Sequence, residues 1–140
     1  MPVLHLIKLS VGTLDVADLA LWQARRLRQS GRVFHRTRMM PRRRERLLAG
    51  GSIYCVIKGF VRARQRLVGI EPVVDDQGRP DTLLILDPGL VHTVPRAHRP
   101  FQGWRYLPAE EAPGDLTDAP GGIAKMPPEL VAELHELGLI

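Results

Sequence analysis

The sequence predicts an α+β fold: a mostly antiparallel, curved sheet or small barrel with flanking helices. Three observations carry that expectation. Apolar runs of strand length, several of them alternating, recur from the start of the chain to about residue 106. Stretches of helical periodicity flank them near the start and at the end. No GxGxxG or GxxxxGK[ST] pattern occurs, so a doubly wound dinucleotide fold is set aside, and with it an ATP- or NAD-dependent enzyme.

Residues 3–9, VLHLIKL, form the first predicted strand, with an apolar face broken by His5 and Lys8. Thr13 or Asp15 caps a helix running to about Gln29, because Val16, Leu19, Ala20, Gln23 and Leu27 recur at helical spacing. Trp22 lies beside that stripe and is expected in the core or at its rim. The connection that follows includes an extended piece at residues 33–36. Pro41 in front and Gly50-Gly51 behind bracket a short helix, since proline suits a first turn and glycine a stop. In SIYCVIKGFVRARQRLVGIEPVV, residues 52–74, Ile53, Cys55 and Ile57 share one strand face and Tyr54, Val56 and Lys58 the other. Gly59 marks a bulge, bend or turn. Val61, Ala63, Gln65 and Leu67 then alternate with Arg62, Arg64 and Arg66. DDQGRPD is a turn in which Asp75-Asp76 serve conformation, and TLLILDP returns as the second arm of a hairpin. Prolines confine residues 91–108 to one or two edge strands, around Val91 and Trp104-Arg105-Tyr106.

Residues 1–112 read as one core domain, 113–127 as an acidic Pro/Gly-rich linker or loop, and 128–140 as an amphipathic helix packing on the core or on a partner. A length of 140 residues is enough for a core without staples. Cys55 is the single cysteine, so an intramolecular disulfide and a multi-thiolate zinc site are excluded; its strand context makes it a buried packing residue. The N-terminus lacks the character of a signal peptide and no run approaches the ~18 apolar residues of a membrane span, which makes the cytoplasm the default location.

The net charge of +5 conceals an asymmetry: residues 1–66 hold fifteen Lys or Arg against three Asp or Glu, and residues 67–140 hold five against twelve. Such opposed halves predict either a surface for a polyanion or pairing within the molecule. Residues 25–66 alone carry fourteen cations and one acid, Glu45. Arg42, Arg43 and Arg44 crowd the start of the short helix, where the dipole is already positive and each cation costs ~0.3–1 kcal/mol at low salt. An anion held there, with Arg38, Arg42, Arg43 and Arg46 around it, would account for them. Strand alternation puts Arg62, Arg64 and Arg66 together on one face. In RPFQGWRYL, residues 99–107, Trp104 and Tyr106 share a face. With Tyr54 they are candidate stacking platforms, Arg105 supplying a phosphate contact. The competing reading places these aromatics in the core and pairs the arginines with acids of the second half.

Catalytic patterns are sparse. His5, His35, His92, His98 and His135 show no metal-ligand spacing, and no metal or cofactor is expected. His35 with Arg38 and Asp87 could serve phosphodiester chemistry, although nothing in the sequence links them.

HLIKLSVG, TRMMPRRRERLLAGGSIYCVIKG, ARQRLVGIEPV, LILDPGLV and RPFQGWRYL together resemble a family of small bacterial proteins, chiefly alphaproteobacterial, known as a domain of unknown function. That family carries no assigned catalytic residues to transfer. The element layout is also similar to PUA-like domains such as ASCH and EVE, which implies a small barrel that binds RNA or modified bases. The expectation is therefore an RNA-binding module for structured or modified RNA or another phosphate-rich ligand, with no membrane partner. Two alternatives stand beside it: an interaction or homodimerising protein with a basic face, and a nucleotide- or RNA-processing enzyme with a pocket between helix and sheet.

Overall fold

The computed structural model describes residues 3–116. Its first strand, β1 (Leu4–Leu9), runs parallel to β3 (Ser52–Ile57), while the other strand pairs are antiparallel. A parallel pair needs a long crossover. Here it holds α1 (Val16–Ser30), β2 (Val33–Thr37) and α2 (Arg44–Leu48). After β3 come β4 (Phe60–Val74), β5 (Pro80–Leu86), β6 (Val91–Ala97), β7 (Trp104–Pro108) and one 3-10 turn, Ala109–Glu111. The seven strands form an open mixed sheet in the order β2-β5-β4-β3-β1-β7, with β6 joined to β4. The α+β class and the mostly antiparallel pairing hold.

Local chemistry explains the main boundaries. Asp15, not Thr13, caps α1 by accepting from Asp18 N–H at 2.8 Å, and Gly31 ends it in the left-handed conformation. Lys58 and Gly59, both at positive φ, form the two-residue link between Ile57 and Phe60, as a type I′ hairpin turn requires. Asp75 Oδ1 accepts from Gln77 and Arg79 N–H and so shapes the next turn. Pro95 sits in β6, which pairs only with β4 among the described strands, so its missing N–H is tolerated.

The sheet is covered on both faces, which is why all six residues of β3 are buried. On one face Leu4, Leu6, Val33, Ile53, Leu67, Leu84, Leu86 and Trp104 pack with Leu47 of α2. Farther along, Val16 and Leu19 of α1 cover Cys55, Ile57 and Ala63. The opposite face gathers Ile7, Tyr54, Val56, Val61, Phe101 and Leu107. Cys55 is a buried thiol whose pKa is pushed up by burial, in keeping with a packing role.

Several expectations need correction. A bulge shifts the register so that Cys55 faces Ala63 while Val56 faces Val61. Val61 and Ala63 therefore join clusters on opposite faces, and simple alternation does not carry Arg62 onto the face of Arg64 and Arg66. The helical stripe of α1 is shallow: Val16 and Leu19 are buried, whereas Leu27 is exposed and Trp22 is 56% exposed rather than core. The helix before Gly50 is one turn long and begins at Arg44. No correction applies to the expected linker or loop at 113–127, of which the described residues 113–116 lie along the sheet: Val94 N–H donates to Gly114 O, Thr93 bridges Asp115, and Leu116 is buried. The expected helix at 128–140 lies outside the described residues.

Candidate functional site

Two places in the fold concentrate chemistry: the arginines around α2, and a cleft between α1 and the sheet.

Five arginines outside α2 are matched by acids of the second half. Arg32 pairs with Glu71 at 2.8 Å, Arg36 with Asp81 at 3.0 Å, and Arg38 with Asp75 at 2.9 Å. Asp75 also receives the Arg79 side chain, and the Arg79 backbone N–H, then the Arg38 guanidinium and the Gln77 N–H, hold its carboxyl down at about 2. Arg64 grips Asp115 through Nε and NH2 and reaches Ser52 Oγ at 3.0 Å; Asp115 lies below the usual carboxylate range for that reason. Arg62 is 7% exposed in the bulge. Of the three strand arginines, only Arg66 stays solvent-exposed.

Around α2 the picture differs. Arg42, Arg43 and Arg44 are exposed and make no ion pair among the described residues. With Glu45 and the half-buried Arg46 they line an open groove of about 480 Å³. The backbone N–H groups of Arg42 and Arg43 both donate to Tyr106 Oη, at 2.9 and 3.1 Å. That hydroxyl takes the place an anion was expected to occupy, and the Arg43 guanidinium lies 5.7 Å from the same ring.

The expected aromatic platform is largely inside the protein. Trp104 and Tyr106 do share a face, with ring centroids 5.1 Å apart edge to face. Trp104 is 6% exposed, however, and its indole donates to Met39 O. Tyr54 is 4% exposed against His5, and burial pushes its hydroxyl pKa up. Arg105 is exposed and stacks over Phe101 at 4.9 Å, projecting from the strand face opposite Trp104 and Tyr106. The sequence-predicted residues thus separate into a surface ridge and a buried aromatic support. His35, Arg38 and Asp87 are engaged separately: Arg38 binds Asp75, and Asp87 Oδ1 accepts from Gly89 N–H.

The second place lies between helix and sheet, where the enzyme alternative put a pocket, but apart from His35 its lining was not among the candidate site residues. Lys8, Thr13, Leu19, Trp22, Gln23, Arg26, Phe34, His35 and Leu86 line a cleft of about 210 Å³, with Val11 at its edge. Lys8 continues the inward face of Leu4 and Leu6 and is 9% exposed. His35 occupies the corresponding position after Val33. Burial, then Lys8, then Arg26 hold its pKa down at about 4, so its ring is neutral near pH 7. Gln65, fully buried, exchanges two hydrogen bonds with Gln23 and donates to Asp87 O, which fixes the helix over the sheet. The signal was in the sequence: Lys8 breaks an apolar strand face where alternation calls for a core residue.

Among the described residues no three His, Cys, Asp or Glu side chains gather as a metal site, and no helix is long and apolar enough to cross a membrane. No curated protein and no solved structure matches the chain. A family model does match, over residues 6–140, and its description is a protein of unknown function. The chain belongs to that family, DUF1489.

Proposed function

We propose that the protein is an RNA-binding module that holds the phosphate backbone across the ridge of Arg42, Arg43 and Arg44, with Arg46 and Arg66 extending it. One contrast supports this reading. Arg32, Arg36, Arg38, Arg64 and Arg79 are each matched by a carboxylate, whereas three successive exposed arginines at α2 have none among the described residues. Clustered guanidinium groups repel one another. They offer planar forks to phosphate oxygens, and their mutual repulsion falls when an anion lies between them. The groove is open, which suits a strand more than a small buried substrate. Tyr106 braces the ridge from below, so its contribution is to positioning.

The test is fluorescence anisotropy with a short labelled single-stranded RNA. Three to four phosphate contacts predict a loss of roughly 20- to 50-fold in affinity between 50 and 200 mM salt. Arg42→Ala, Arg43→Ala and Arg44→Ala together should abolish most of the binding and flatten the salt slope, with the melting temperature nearly unchanged. Absence of binding at 50 mM salt would overturn the RNA reading. Mass measured by light scattering in the same buffers distinguishes the alternative in which the ridge recognises an acidic protein surface or a second copy.

A further inference from the structure

We propose that the cleft between α1 and the sheet is a binding site for a small organic anion carrying a flat ring, with Lys8 and Arg26 meeting the anionic oxygens and Trp22 and Phe34 meeting the ring. The site is separate from the α2 ridge and uses none of its residues, so it stands or falls independently of RNA binding.

The first argument is the cost of Lys8. Lysine is almost never buried without a partner, because removing an ammonium from water is unfavourable unless an opposite charge compensates. Lys8 is 9% exposed and makes no ion pair among the described residues. Its neighbours add positive charge instead of removing it: Arg26 lines the same cleft. Among the described residues no carboxylate lines it. The lysine stem continues the core face of Leu4 and Leu6 while its ammonium reaches the cleft, where an anion would compensate its charge.

The second argument is the rest of the lining. His35, held neutral by burial and by the two nearby cations, supplies one donor and one acceptor instead of a third charge. The Thr13 hydroxyl is within hydrogen-bond distance of Ser10 Oγ, at 2.7 Å. Gln23 is immobilised by its reciprocal pair with Gln65, so the polar wall is already in place. Arg26 is fixed too: it donates to Phe34 O at 2.6 Å and lies 4.7 Å from the Phe34 ring. Trp22, 56% exposed, is a large aromatic side chain that the core leaves at the cleft. Cationic and polar groups together with aromatic walls fit one ligand chemistry, an anionic oxygen group joined to a flat ring. A volume of about 210 Å³ lies below the usual range for drug-sized ligands, so the ligand is small.

Isothermal titration calorimetry and tryptophan fluorescence on the full chain, at 50 mM salt and pH 7, would test the site with four probes: phenyl phosphate, inorganic phosphate, benzoate and acetate. At least one ring-bearing anion should bind with at least tenfold higher affinity than its ringless counterpart, and Trp22→Phe should remove most of the fluorescence change. Lys8→Met keeps the side-chain length and removes the charge; it should weaken binding tenfold or more while the melting temperature stays level or rises. A structural lysine would give the reverse, a lower melting temperature with binding intact. Failure of all four probes to bind at millimolar concentration would overturn the proposal. Equal affinity for ringed and ringless anions would overturn it as well, and so would unchanged affinity in Lys8→Met.

Discussion

Arg64 and Asp115 meet in a two-pronged pair, Nε to Oδ1 at 2.6 Å and NH2 to Oδ2 at 2.7 Å, across 51 positions of sequence. The pair ties the segment after the 3-10 turn to the middle of β4, and Val94 N–H to Gly114 O reinforces it on the next strand. A cation of the basic half is thus spent on holding an acidic residue of the other half. Asp115→Asn should cost about 1–3 kcal/mol of stability in urea unfolding, the range for a charge-assisted hydrogen bond. RNA affinity should be unchanged, because Arg64 lies outside the exposed ridge.

Tyr106 Oη is the acceptor for two consecutive backbone N–H groups at the approach to α2. Tyr106→Phe removes that acceptor and keeps the ring. Both N–H groups are exposed, so water replaces part of the loss and the cost should be about 0.5–1.5 kcal/mol by urea midpoint. RNA affinity should fall only a few-fold, far less than on removing Arg42, Arg43 and Arg44. An equal fall would mean that Tyr106 itself touches the strand.

His35 makes stability depend on pH. In the folded protein its pKa is held at about 4, against an ordinary 6.5. Between those values the unfolded chain carries the extra proton, so stability rises with pH. The contribution is complete above about pH 6.5 and is lost as pH falls toward 4. Linkage gives it a size of roughly 3 kcal/mol across that window. Urea unfolding from pH 4.5 to 7 should show this slope, and His35→Gln should reduce it. In Lys8→Met the His35 midpoint, followed by NMR, should move upward, because one of the two neighbouring cations is gone.

Gly51 sits where α2, β1 and β3 converge. A Cβ there would collide with the backbone oxygens of Leu4 and Leu47, neither of which is a flexible side-chain end. Gly51→Ala should therefore cost about 3 kcal/mol or more, seen as a lowered melting temperature or as loss of soluble protein. Gly59→Ala meets open space but retains a φ of +85°, so its cost should be nearer 1 kcal/mol.

Local order was largely legible in the sequence. A cap at Thr13 or Asp15, the Gly59 turn and the alternation of Ile53, Cys55 and Ile57 against Tyr54 and Val56 depend on neighbours a few residues apart, and the fold contains the Asp15 cap, the turn and the alternation. The cluster of arginines at residues 42–44 was also visible, but whether acids of the second half pair with it was left open by the sequence. What separated Arg62 from Arg64 was not visible. A bulge is set by how β3 and β4 pack against each other, and one extra residue resets the alternation.

The sequence by itself determined the α+β composition, the basic first half and the short charged helix, since each follows from residue type and spacing. Tertiary structure alone decided which charges remain available. It brought Asp75, Asp81, Glu71 and Asp115 to Arg38, Arg36, Arg32 and Arg64 from 37 or more positions away. It also set Lys8 beside Gln23, Arg26 and His35, because the crossover between two parallel strands folds α1 and β2 back over the end of β1. Pairing over such distances depends on how the strands are ordered in the sheet, and strand order is a property of the whole chain rather than of any segment.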